Sequence, residues 1–129
     1  MSDLIKINGG NIVSILNGGL GLGKPFSGQI YLIDAHIAGT SHIENINKLE
    51  PGLQIGDKLN FFREPQNEFD KLAIIVKDEK GNKIGYVPKG KNEILSRLMD
   101  AGKLIYGTIH EKEFVGNWLK ITLKIYLDD

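Results

Sequence analysis

The stretch that decides the fold is WLKITLKIYL, residues 118–127, close to the carboxyl terminus. Apolar side chains occupy every second position from Leu119 to Leu127, and Lys120 and Lys124 are among the polar residues between them. Because successive side chains of a β-strand point to opposite faces, this alternation predicts a strand with one buried and one solvated face. Such a strand is typical of an antiparallel sheet that packs one face on the core.

Five further segments, most of them bounded by Gly, Pro, Asn or Asp, also have the composition of strands. Together the segments predict six strands, at residues 29–38, 57–63, 72–76, 83–87, 104–111 and 118–127. A turn at residues 78–83 is predicted to join the third and fourth strands, and a turn at Gly116-Asn117 is predicted to join the fifth and sixth. A shorter strand is allowed at residues 12–16.

One main helix is predicted between Pro88 and Gly102, where a glycine provides a C-terminal stop. Its apolar side chains form one stripe: Ile94, Leu95, Leu98 and Met99. One or two helical turns are also predicted at residues 41–49, before Pro51. Because strands and helices do not alternate, we expect a mostly β fold, either a small antiparallel barrel or a half-open sandwich, with the helix plugging one end.

The length of 129 residues fits a single folded domain. Seven of the 16 glycines fall within the first 28 residues. Because glycine loses the most backbone entropy on ordering, residues 1–28 are predicted to form a flexible arm. The folded domain is then expected at residues 29–129.

Composition excludes several classes of protein. There is no Cys, so disulfide frameworks, thiolate metal sites and Cys nucleophiles are absent. No apolar run approaches the roughly 20 residues of a membrane span, and the first residues lack the pattern of a secretory signal. We therefore expect a soluble, cytoplasmic protein. The 16 basic and 16 acidic residues balance, which argues against a polycationic protein that coats nucleic acid.

Two motifs that suggest catalysis or metal binding are weak. GGLGLGK, residues 18–24, has the spacing of a phosphate-binding loop, but Pro25 stands where that loop needs Ser or Thr. His36 and His42 have acidic neighbours, yet a metal site needs three or four converging ligands and this spacing is not specific. No cofactor and no metal are therefore expected.

The most informative segment is REPQNEFDKLAIIV, residues 63–76. Arg63, Asn67, Phe69 and Asp70 would place a cation, an aromatic face and hydrogen-bonding groups in one loop, a combination that suits a nucleotide. The alternative is structural: the polar residues would make turn bonds to their own backbone, and Phe69 would pack into the core. The residues alone leave both readings open.

Three segments carry a family resemblance: AGTSHIEN (38–45), GDKLNFFREPQNEFDKLAIIVKDEKGNKIGYVPKGKNEILSRLMDAGK (56–103) and the terminal strand. Together they resemble the HIRAN domain, which is found fused to helicase-like remodelling ATPases and as small free-standing bacterial proteins. The resemblance covers roughly residues 30–127. It implies a modified OB-like barrel with one main helix, which captures the free 3′ end of single-stranded DNA and catalyses no reaction.

The resemblance also implies roles for individual residues. Asp70 would accept a hydrogen bond from the terminal 3′-hydroxyl, Phe69 would stack on the last nucleotides, and Lys89 would approach a phosphate. His42 occupies the place of a stacking tyrosine, after Ser41 in place of a basic residue. The DNA-binding residues expected on these grounds are His42, Arg63, Asn67, Phe69, Asp70, Tyr86, Lys89 and Trp118.

Local charge favours such a site, because residues 71–91 carry six lysines against two acidic residues. The expected function is therefore 3′-end capture in DNA repair, stalled-fork processing or mobile-element defence, with a separate helicase or nuclease as candidate partner. One alternative is a protein-interaction module that offers an unpaired edge of the last strand. Another is a small metal-dependent hydrolase or nuclease that uses His42 and His110.

Overall fold

The computed structural model describes residues 28–128. The predicted arm at residues 1–28 and the strand allowed at residues 12–16 lie outside the described residues, except for Gly28. The described residues form six strands and two α-helices: β1 Gln29–His36, α1 Ile46–Leu49, β2 Lys58–Arg63, β3 Ile74–Lys77, β4 Lys83–Tyr86, α2 Asn92–Asp100, β5 Leu104–Val115 and β6 Trp118–Asp128. Short 3-10 turns lie at Thr40–His42, Glu50–Gly52 and Lys89–Lys91.

The six strands make one antiparallel sheet in the order β1-β6-β5-β2-β3-β4, which curls into an OB-like half-barrel. The curl brings the two ends of the sheet together just beyond β1, where Ala38 pairs with Tyr86 of β4. The Ala38 amide donates to the Tyr86 carbonyl at 2.8 Å, and the Tyr86 amide donates back at 2.9 Å. The mostly β, OB-like fold with one main helix is confirmed.

The hydrophobic core lies inside the curled sheet. The alternation of apolar residues in β6 correctly predicted which of its side chains are buried. Leu119, Ile121, Leu123 and Ile125 are all buried, and Leu127 packs against them as a partly buried side chain. From the helix, Leu95 is buried, and Leu98 and Met99 are partly buried against the same core.

All six predicted strands are present, but some boundaries differ. β5 continues to Val115, four residues beyond the predicted end, because Glu111–Val115 keep pairing with β6 up to the turn. β3 begins at Ile74 and not at residue 72, because the backbone amides of the two preceding residues bond to Asp70 instead of to a neighbouring strand.

The main helix begins at Asn92, later than predicted, because residues 89–91 form a 3-10 turn after Pro88. Its C-terminal stop is as expected, since Gly102 has a φ of +91°, which glycine adopts most easily. Ile94 differs from the other members of the predicted stripe, because its side chain is 71% exposed.

The final strand does not offer the unpaired edge on which the protein-interaction alternative depended. β6 lies between β1 and β5, so it has a hydrogen-bonded neighbour on each side. The sequence could not show this, because strand order depends on how the sheet curls. Neither α-helix within residues 28–128 is long and apolar enough to cross a membrane.

The contact between β4 and the residues just beyond β1 requires glycine at position 85. A Cβ atom there would lie 2.5 Å from both the Ala38 carbonyl oxygen and Ile37 Cγ2. We therefore expect Gly85→Ala to lower the free energy of unfolding by about 1–3 kcal/mol, as overpacking does in other cores. Chemical denaturation measures the change. Gly52→Ala is the control, because its Cβ would meet nothing within 4 Å; equal stability of the two variants would contradict the tight closure.

Candidate functional site

The loop between β2 and β3, residues 64–73, is organised by Asn67. The side-chain oxygen of Asn67 accepts hydrogen bonds from the backbone amides of Phe69 at 2.8 Å and Asp70 at 2.9 Å. Its amide nitrogen donates to Glu64 Oε1 at 2.6 Å. The turn bonds considered from sequence are therefore present. They leave Phe69 free to point outward, and its side chain is 88% exposed.

Asp70 follows Phe69, and both of its carboxylate oxygens are held from the protein side. Oδ1 accepts from the backbone amide of Leu72 at 2.9 Å, and Oδ2 accepts from Nδ2 of Asn92 at 2.8 Å. The hydrogen bond from the Leu72 amide contributes most to holding the pKa of Asp70 below its usual value, and the bond from Asn92 contributes next. The positive charges of Lys89 and Arg63 make smaller contributions. Asp70 is therefore ionised at neutral pH, and each oxygen keeps lone-pair capacity for a further donor.

Tyr86, at the end of β4, is fixed by a chain of polar contacts. Its hydroxyl donates to Glu64 Oε1 at 2.8 Å and accepts from Lys83 Nζ at 2.9 Å. The Asn67 amide and the Tyr86 hydroxyl hold the pKa of Glu64 below its usual value. The β2–β3 loop and β4 are therefore joined through one ionised carboxylate.

These residues enclose an open groove with a volume of about 510 Å³. Its lining is mostly apolar and combines two aromatic rings with a carboxylate, two side-chain amides and a lysine. The residues that line it are Ala38, Asn67, Phe69, Asp70, Ala73, Tyr86, Val87, Lys89 and Asn92. Five of the eight residues expected from the sequence are thus brought together: Asn67, Phe69, Asp70, Tyr86 and Lys89.

Arg63 has a different position, behind the loop. Its guanidinium donates to the carbonyl oxygens of Ala73 at 2.7 Å and Lys71 at 3.0 Å, and it forms an ion pair with Asp100 at 2.9 Å. The side chain is only 15% exposed. Arg63 therefore ties the base of the loop to the C-terminal end of α2 and does not line the groove.

His42 and Trp118 also lie outside the groove lining. His42 is exposed in the 3-10 turn after β1 and lines a separate depression, of about 360 Å³, together with Lys83. Trp118 packs edge-to-face on His36, with ring centroids 6.1 Å apart. Their roles in binding stay predictions. Within residues 28–128, no group of three or more His, Asp or Glu side chains is placed to hold a metal ion.

The lysines of residues 71–91 do not form one continuous rim. Lys89 lines the groove and Lys83 contacts the Tyr86 hydroxyl beside it. In contrast, Lys77 lies over the Phe62 ring at 5.1 Å, and Lys80 lines a depression next to α1. The charge available to a ligand in the groove is therefore smaller than the sequence count suggests.

Asn92 is a residue of the site that was not expected from the sequence. It is the first residue of α2, is only 3% exposed, and donates to Asp70 across 22 residues of chain. A polar residue at the start of a helix is usually solvated or bonded to its own backbone, so its position in the sequence carries no sign of this contact.

Comparisons with known proteins identify the family of the chain. The model of the HIRAN domain family matches residues 30–128. The chain belongs to the HIRAN domain family. A HIRAN domain is a binding domain and not a known catalytic domain, and the family supports a nucleic-acid-binding role. No curated protein matches the sequence.

Solved structures share the fold of this HIRAN domain at low sequence identity. A crystal structure of a protein from Lactobacillus plantarum has a TM-score of 0.72 and 23% identity, covering 77% of this chain and 94% of that one. The crystal structure of the HIRAN domain of human HLTF has a TM-score of 0.60 and 22% identity over 78% of each chain. The NMR structure of the HLTF HIRAN domain has a TM-score of 0.52, 22% identity and 77% coverage of each chain.

The two arginines of the chain allow a direct test of the tie behind the loop. Arg63→Lys keeps the charge but loses the fork of donors, so we expect it to lower the free energy of unfolding by about 1.5–3 kcal/mol. Arg97→Lys is the control, because Arg97 is 70% exposed and, within residues 28–128, pairs only with Glu93 on its own helix; we expect a change within about 0.5 kcal/mol. If Arg63→Lys weakened DNA binding without destabilising the fold, Arg63 would be a ligand contact, as the sequence predicted.

Proposed function

We propose that this HIRAN domain captures the 3′-hydroxyl end of single-stranded DNA in the groove between the β2–β3 loop and α2. The observation that carries the proposal is the ionised Asp70 carboxylate, which is held by two protein donors at the edge of an open groove. Membership of the HIRAN family supports the broader statement that the chain binds nucleic acid.

Asp70 supplies the selectivity in this proposal. An ionised carboxylate accepts hydrogen bonds and donates none, so it suits a terminal hydroxyl. A 3′-phosphate would bring a second negative charge against it. The same carboxylate therefore both recognises a free end and disfavours a phosphorylated one.

Phe69 and Tyr86 supply affinity that does not depend on the base sequence of the DNA. The exposed ring of Phe69 lies next to the Asp70 acceptor in the chain, so a terminal nucleotide whose hydroxyl reached Asp70 would be within reach of the ring. Stacking of one base on an aromatic side chain is worth about 1–3 kcal/mol and tolerates every base. Two or three nucleotides held in this way would bind with micromolar affinity or weaker.

Free 3′ ends arise in DNA repair, in stalled-fork processing and in mobile-element defence, and we propose that the domain acts in a process of this kind. It would mark or hold the end and leave the chemistry to a separate helicase or nuclease. The metal-dependent hydrolase alternative has no support among residues 28–128, where no three-residue metal cluster is found.

The decisive experiment compares three ends of one short oligonucleotide that carries a fluorophore at its 5′ terminus. We expect the 3′-hydroxyl form to bind at least about tenfold more tightly than the 3′-phosphate form, which corresponds to the loss of one charge-assisted hydrogen bond. The 3′-dideoxy form should lie between them, because it lacks the donor but adds no charge. Fluorescence anisotropy measures all three, and equal affinities would rule out end capture.

Asp70→Asn tests the carboxylate itself and should reduce the discrimination against phosphate. Glu68→Gln is the matched control, because it removes one negative charge from an exposed position of the same loop. If the control reduced the discrimination as much as Asp70→Asn, general charge and not a specific acceptor would be responsible.

The proposal also predicts a shallow salt dependence, because few lysines face the groove. Each phosphate that is neutralised on a single strand contributes about −0.7 to the slope of log K against log salt concentration. We expect Lys89→Ala to reduce the slope by about that amount. Lys91→Ala, an exposed lysine on the same 3-10 turn that lines a different depression, should leave the slope unchanged. A steep slope in the unmodified protein would contradict this binding mode.

A further inference from the structure

We propose that Asn92 is a positioning residue for end recognition, which fixes the Asp70 carboxylate in place from the first turn of α2. The inference rests on the proposed function of Asp70 and adds a residue to which neither the sequence nor the family resemblance assigned a role.

The geometry gives Asp70 one local and one distant attachment. The backbone amide of Leu72 bonds to Oδ1 from only two residues away, so this bond moves with the loop. The Asn92 amide bonds to Oδ2 at 2.8 Å from a different element, and Asn92 itself is 3% exposed. Without Asn92, the carboxylate would keep a single anchor, which belongs to its own loop.

α2 is a suitable support because it is fixed at both ends. Leu95, one turn from Asn92, is buried in the core. At the other end of the helix, Asp100 pairs with Arg63, whose guanidinium also bonds to the carbonyls of Lys71 and Ala73. The helix therefore holds the β2–β3 loop at its base through Arg63 and at its acceptor through Asn92.

The chemistry of the contact requires an amide or a similar donor at position 92. An ionised carboxylate has about four lone-pair sites, and the Leu72 and Asn92 bonds occupy one on each oxygen. The remaining sites can accept from a terminal hydroxyl. A leucine at position 92 would have a similar shape without the donor, and an aspartate would place a second negative charge against Asp70.

The contact also affects protonation. The groups that face Asp70 are the Leu72 amide, Asn92, and the charges of Lys89 from the 3-10 turn and Arg63 from β2. Because Asp70 must be ionised to repel phosphate and to accept a hydroxyl, its recognition is present above its pKa and is lost as the pH falls through it. Removal of the Asn92 donor raises the pKa of Asp70, so recognition is then lost at a higher pH.

The test uses Asn92→Leu and Asn92→Asp, with Ser96→Ala as the control. Ser96 is also a buried polar residue of α2, but its hydroxyl donates only to the Glu93 carbonyl one turn back. Two quantities are measured: the pKa of the Asp70 carboxyl by NMR titration of the free protein, and the ratio of affinities for 3′-hydroxyl and 3′-phosphate oligonucleotides from pH 4 to 8.

We expect both Asn92 variants to raise the pKa of Asp70. Asn92→Leu, which adds no charge, should also reduce the affinity ratio about tenfold at neutral pH, as the loss of one hydrogen bond to a charged group would do. Ser96→Ala should change neither quantity, even where it lowers the melting temperature. Asn92→Asp keeps the shape of the side chain, so it still gives a result if Asn92→Leu does not fold.

An unchanged pKa of Asp70 in the Asn92 variants would overturn the positioning role. Equal affinity of the unmodified protein for the two ends would instead overturn the proposed function. The two failures are therefore distinguishable, because the titration needs no DNA.

Discussion

The pairing of Ala38 with Tyr86 is the constraint on which the site depends. It joins the residue just beyond β1, the first strand of the sheet order, to β4, the last strand, and it requires the close approach that only glycine permits at position 85. Both paired residues also line the groove. Closure of the half-barrel therefore also brings together part of the groove lining.

The polar residues of the β2–β3 loop show that structural and functional readings need not compete. Asn67 makes the turn bonds that an Asn in a loop commonly makes, and these bonds aim Phe69 outward and hold Asp70 beside it. Arg63 has a wholly structural set of contacts, with two backbone carbonyls and Asp100. The side chains proposed to meet a ligand are therefore held in place by neighbours that make structural contacts.

The neutral overall charge is consistent with a site of this design. A protein that coats long nucleic acid needs many phosphate contacts, whereas recognition of an end needs one acceptor, one or two stacking faces and few cations. Lys89 lines the groove and Lys83 is held beside it by Tyr86, while other lysines of the basic segment lie over Phe62 or beside α1.

The sequence by itself determined the strands, the core face of β6, the helix stop at Gly102 and the family, because periodicity and local motifs encode them within short stretches of chain. It also placed Asn67, Phe69 and Asp70 in one loop. The tertiary structure decided the contacts between distant parts of the chain: Asn92 bonds to Asp70, Asp100 pairs with Arg63, and β1 lies beside β6 on the side opposite β5. Those contacts span 22 residues, 37 residues and most of the domain, and they form only when the sheet curls, so no local pattern of side chains can specify them.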